Sequence, residues 1–166
     1  ARWNVLAQQV LVARLRGSNE DGDETFAMDM WDGYPAERQA MLAQLADVGT
    51  PNPIVLTGDI HSNWVADLHT DFDDLTSPIV ATELVGTSIS SSGDGQDMTA
   101  GGERRLLDNP HIKFYNGQRG YVTAEVTPNH WTSEFKIVPV VTEPGAVVET
   151  RATFVVENGR PGAQQA

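Results

Sequence analysis

The spacing of apolar positions changes along the chain. Residues 3–15 are a mostly apolar run with Gln8 and Gln9 inside it, a pattern that periodicity alone allows as a helix or a buried strand; its first half is expected to be a strand. Residues 17–24 are polar, acidic and glycine-containing, which predicts a solvated loop, and the spacing of the acids does not fit an EF-hand. Residues 36–48 place Met41, Leu42 and Leu45 on one face among good helix formers, with Pro35 suited to the first turn and Gly49 to the stop. After Pro51-Asn52-Pro53, the run Ile54-Val55-Leu56 reads as a short buried strand leading straight into Gly58-Asp59.

Beyond that strand the runs 64–68, 79–85, 113–115, 121–126, 131–141 and 152–156 are mostly rich in β-branched and aromatic residues, which predicts a β-rich second half. Between them, residues 88–102 are crowded with Ser, Gly and Asp and read as a long loop, functional or disordered. The tail, 158–166, is polar with Gly and Pro and is expected to fray. Helix, short loop and strand point to an α/β class, with one domain over residues 1–157 and a flexible tail over 158–166.

Composition narrows this picture only a little. A chain of 166 residues with 40% hydrophobic and 20% charged residues has the size and make-up of one globular domain. Its net charge of -12, from 23 acidic and 11 basic residues, would repel a nucleic-acid backbone unless metal ions intervened. The same acids serve either as a solubilising surface or as oxygen ligands for hard cations. There is no cysteine, hence neither disulfide nor thiolate site, and no apolar run of membrane-spanning length. The opening Ala1-Arg2-Trp3-Asn4 is not a signal peptide and has no initiator methionine, which hints at an upstream region.

Candidate chemistry gathers where the Ile54-Val55-Leu56 strand ends. Gly58-Asp59-Ile60-His61 puts a carboxylate and an imidazole at the carboxyl end of a sheet, where α/β proteins collect their ligands. In a continuing strand Asp59 and His61 would share a face, and in a tight turn they would flank one ion; either lets a hard oxygen and a nitrogen meet on metal. Equally, Asp59 caps a turn and His61 is a satisfied, partly buried histidine. Chemistry alone leaves both open. His69, His111 and His130 lack the strand-end context and are expected to be structural, and no Gly-x-Ser-x-Gly elbow accompanies the serines at 88–92.

Ordered blocks of text then add a resemblance. Trp3-Asn4-Val5-Leu6-Ala7-Gln8-Gln9, Trp31-Asp32-Gly33-Tyr34-Pro35-Ala36 with Arg38, Gly58-Asp59-Ile60-His61-Ser62-Asn63-Trp64, Glu83-Leu84-Val85-Gly86-Thr87-Ser88-Ile89, Asn109-Pro110-His111-Ile112 and Gln118-Arg119-Gly120-Tyr121 together resemble PhoD-type alkaline phosphatases over nearly the whole chain. The resemblance implies the C-terminal half of a metallophosphoesterase-type β-sandwich flanked by helices. It also implies calcium and iron as metals, phosphate mono- and diesters as substrates, and export beyond the cytoplasm by the twin-arginine route. Further ligands are implied in an N-terminal half of the same domain, so that residues 1–166 alone are expected to be inactive.

Carried over residue by residue, Asp59 and His61 match the family's Gly-Asp-x-His metal block. Asn63 is a candidate for a water or phosphate oxygen, and Arg119 for paired hydrogen bonds to phosphate. Asp32 and Tyr34 are expected at the cleft wall, with Asp32 near the ions or orienting His61; a turn near the helix start explains Asp32 as well. A reading from a different class is a noncatalytic secreted β-rich module whose acidic loops hold calcium.

Overall fold

The computed structural model describes residues 1–19 and 21–166. Its elements run β1 (Asn4–Ala7), β2 (Gly17–Ser18), β3 (Glu24–Thr25), a 3-10 turn (Trp31–Gly33), α1 (Pro35–Asp47), β4 (Pro53–Thr57), β5 (Asn63–His69), β6 (Ile79–Val85), α2 (Ala100–Asp108), β7 (Ile112–Asn116), β8 (Arg119–Val126), β9 (His130–Val138), β10 (Glu149–Glu157) and β11 (Arg160–Gln165). A five-stranded sheet has the order β1-β4-β6-β5-β7 and a four-stranded sheet the order β11-β10-β9-β8. In the first, β1, β4 and β6 are parallel while β5 runs antiparallel to β6 and β7. The second is antiparallel throughout.

Burial explains why the two sheets read so differently in sequence. In β9 every second residue is buried, among them Trp131, Phe135 and Ile137, as expected for a sheet with one solvated face. All seven residues of β5 are buried, because the first sheet is covered on both faces. Neighbouring residues of one strand therefore serve different cores: Ile54 joins Val65, Leu84 and Phe114 against Trp131, Phe135 and Phe154, whereas Val55 packs with Leu42 of α1 and with Leu11, Val12 and Leu15. Phe114, Phe135 and Phe154 meet with ring centroids 5.2 to 6.0 Å apart, joining the sheets as an aromatic cluster. The result is an α/β arrangement built on a β-sandwich, as the resemblance implied.

The apolar run at the start is a strand for only Asn4–Ala7. Beyond it, Leu11, Val12, Ala13 and Leu15 are buried without regular structure, so their backbone donors must be satisfied elsewhere. Side chains do this. The Glu83 carboxylate accepts from Val12 N at 2.9 Å and Ala13 N at 2.7 Å, and Asp32 accepts from Leu15 N at 2.8 Å.

Two expectations need adjusting. The loop expected at 88–102 is irregular through Thr99, and its last three residues open α2, whose Thr99 cap accepts from Gly102 N at 2.9 Å. The tail does not fray: β11 pairs with β10 and buries Ala163. Asp67 and Lys113 explain this. The Asp67 carboxylate accepts from Ala163 N at 3.1 Å, Lys113 donates to the Ala163 carbonyl at 2.7 Å, and the two side chains form an ion pair at 2.6 Å. Gly162 passes close enough that a Cβ would lie 3.4 Å from Asp67, with a φ of +100° that favours glycine.

Candidate metal centre

Parallel β1, β4 and β6 bring their carboxyl ends together, and the turn after β4 carries Gly58-Asp59-Ile60-His61-Ser62 before β5 begins. Asp59 and His61 do not continue a strand. Both lie in the left-handed region, at φ of 69° and 56°, and both side chains are exposed. The turn closes through Ile60 N donating to Gly58 O at 2.9 Å. A left-handed non-glycine residue costs roughly 1–2 kcal/mol, so this backbone persists only because its surroundings hold it.

Those surroundings come from the second sheet and the loop after β6. Arg119, the first residue of β8, is 6% exposed and donates through Nη1 to the His61 carbonyl at 2.6 Å and through Nε to the Gly93 carbonyl at 2.8 Å. Hydrogen bonds from a charged donor are worth about 1.5–3 kcal/mol each, enough to offset the left-handed backbone. His61 Nδ1 lies 3.4 Å from Ser92 Oγ, and Ser92 is itself left-handed at φ 70°. Trp64 holds the far end of the turn by donating from its indole to Ser62 Oγ at 2.7 Å.

His61 borders a hollow of about 530 Å³ whose walls include Trp64, Asp94, Arg105, Tyr115 and Arg119. Trp64 and Tyr115 meet edge to face at 4.6 Å, and the Tyr115 hydroxyl lies 2.9 Å from that of Thr99. A Cβ on Gly102 would stand 2.2 Å from the Tyr115 ring, so glycine lets α2 approach this wall. Asp94 is held below the usual carboxylate range by the backbone N–H of Val141 and then the Thr142 hydroxyl. Its oxygens tie the loop after β9 to the hollow.

Four expected site residues have other company. Asn63 is fully buried; its amide donates to Asn116 Oδ1 at 3.1 Å and its oxygen accepts from Thr87 N at 3.1 Å, so it braces β5 against its neighbours. Arg119 commits two of its five donors to the backbone carbonyls of Gly93 and His61. Asp32 is buried and pairs with Arg38 at 2.5 Å, which also donates to Val12 O at 3.3 Å. It lines a different hollow, with Arg14, Phe26 and Phe72, not the one that His61 borders. Tyr34 is 60% exposed beside Gln8, Gln9 and Trp31 in a third hollow. Of the expected site residues, His61 and Arg119 share a wall.

Among the described residues, no three His, Cys, Asp or Glu side chains are grouped so as to hold a metal ion. Asp59 and His61 offer one oxygen and one nitrogen, a donor pair suited to a borderline or hard cation but short of a full coordination set. His111 is structural: Nε2 lies 2.8 Å from the Arg14 carbonyl, and burial pushes the imidazole down to about 4. His69 likewise contacts the Ser77 carbonyl at 2.9 Å. Sequence reasoning missed Glu83, whose carboxyl is pushed up by complete burial while donors from Thr57, Val12 and Ala13 oppose the shift. A lone acid inside the apolar run 79–85 was the available signal.

The family model described as PhoD-like phosphatase matches residues 1–135. Alkaline phosphatase D of Bacillus subtilis (strain 168) is 43% identical over 165 residues, 99% of this chain and 28% of the relative. A solved structure of PhoD superposes with a TM-score of 0.93 at 43% identity, over 100% of this chain and 32% of that one. The chain thus spans about three-tenths of the length of the relatives it matches. With more than half its residues matched by the family and the fold shared along its full length, this chain belongs to the PhoD-like phosphatases.

Proposed function

We propose that this chain contributes to metal-dependent hydrolysis of phosphate mono- and diesters, with Asp59 and His61 supplying two of the metal ligands. The observation that carries the reading is the turn Gly58-Asp59-Ile60-His61 at the carboxyl ends of the parallel strands, inside the stretch matched by the phosphatase family. Calcium and iron are the ions this reading expects, the Asp59 carboxylate suiting the harder one. A bound metal ion supplies Lewis acidity toward the phosphoryl oxygens and lowers the pKa of a coordinated water. The chain's own part is to hold one carboxylate and one imidazole apart from the sheet on a braced backbone. The remaining donors belong to the rest of a full-length protein, of which this chain would be the later portion.

The same reading expects the full-length protein outside the cytoplasm, exported by the twin-arginine route, where scavenging phosphate from esters is useful. Among the described residues no helix is long and apolar enough to cross a membrane. In the full-length protein, His61→Ala should remove most metal-dependent turnover of an aryl phosphate while circular dichroism stays unchanged, because the side chain is exposed. Full turnover with undiminished metal content would overturn the assignment.

A further inference from the structure

We propose that Arg119 is a positioning residue whose guanidinium clasps the His61 turn to the loop after β6 and so fixes the direction in which the imidazole is presented. One side chain reaches two segments separated in sequence: Nη1 to the His61 carbonyl at 2.6 Å and Nε to the Gly93 carbonyl at 2.8 Å. Both carbonyls follow backbone that strays from ordinary conformations, with His61 at φ 56°, Ser92 at 70° and Gly93 at 65°. Between the two clasped points lies the contact of His61 Nδ1 with Ser92 Oγ at 3.4 Å. Release of the guanidinium would free both sides of that contact together.

The clasp is itself anchored. Arg119 pairs with Val138 at the start of the β8–β9 ladder, and Gly120 N donates to Ser88 O at 3.2 Å, where the loop after β6 begins. At Gly120 a Cβ would lie 1.9 Å from the Lys136 carbonyl, so β8 passes β9 too closely for a side chain there. The planar fork of an arginine serves two diverging carbonyls from one buried position. A lysine keeps the charge and much of the length but presents a single nitrogen centre.

This inference rests on the reading of His61 as a ligand, and its test separates the two. In the full-length protein, Arg119→Lys and Arg119→Gln are compared with wild type after metal removal, by hydrogen exchange at residues 58–63 and 88–95. Exchange there should accelerate about tenfold or more while β5 and β9 keep their protection. Calorimetric titration with calcium and with iron should show affinity about 10–100-fold weaker for at least one ion. Turnover of an aryl phosphate should fall through kcat, with KM within about twofold, and recover as that ion is raised.

Wild-type exchange in Arg119→Lys would overturn the clasp. A raised KM with unaltered metal affinity would assign Arg119 to the substrate phosphate instead. His61→Ala serves as the control: if it binds metal as wild type does, the ligand reading fails, while the exchange experiment still judges the clasp. Should Arg119→Gln lose protection throughout the sheets, the lysine variant decides.

Discussion

His111 shows at the scale of one residue how burial becomes a pH dependence. Its imidazole is 5% exposed, and its Nε2 hydrogen is directed at the Arg14 carbonyl. Burial, with smaller contributions from His69, Arg14 and Arg38, pushes it from 6.5 down to about 4, although the Arg14 carbonyl opposes the shift. The unfolded chain therefore takes up a proton near pH 6.5 that the folded chain refuses until about pH 4. Stability from this group is complete above pH 6.5, declines as the pH falls through the window and levels off below it, a total of about 3 kcal/mol. Urea midpoints measured from pH 7 to 4 should fall accordingly, and His111→Gln should lose that part of the slope. An equal slope in the variant would remove His111 as its source. The structural role of this histidine was legible from its context in the chain, as was the position of Asp59 and His61 just after a buried strand. The partners of Asn63 and Arg119 were not, because both side chains bond to groups 24 to 58 positions away.

At the scale of elements, residue type and period told most where a short run is bounded by turn residues. Residues 79–85 form β6 with the bounds expected, and α1 covers Pro35–Asp47 against an expected 36–48. Period failed where tertiary contacts overrode it. The buried segment Leu11 to Leu15 is apolar enough for a strand, yet Glu83 and Asp32 satisfy its backbone in place of a neighbouring strand. The tail is polar enough to fray, yet its backbone finds Asp67, Lys113 and the open edge of β10. In both segments the decisive groups are long-range acceptors or donors, which a local window does not contain.

At the scale of the whole molecule, the two sheets share an aromatic core, while the candidate site offers two exposed donor side chains, Asp59 and His61. Two donors leave an ion to water, so binding should be weak and its water unpositioned. Purified residues 1–166 supplied with calcium and iron should therefore show no turnover of an aryl phosphate above background. Joining them in one chain to the rest of a full-length protein should restore it. Metal-dependent turnover by residues 1–166 alone would show that the site needs nothing more. The irregular segment that fills the first core has a further consequence, during synthesis. Val12 and Ala13 wait for Glu83, Arg16 waits for Asn109, and Arg14 waits for His111, spans of 70 to 97 positions. At about 5–20 residues per second, a ribosome takes roughly 5 to 20 s to cover the longest of these. Meanwhile Leu11, Val12 and Leu15 have left the exit tunnel without the sheet that buries them, a stretch open to chaperones and proteases. Trypsin should cut stalled nascent chains after Arg14 or Arg16 until β7 has emerged, and spare those positions afterwards; equal cleavage at every length would show that the segment never depends on the strands made after it.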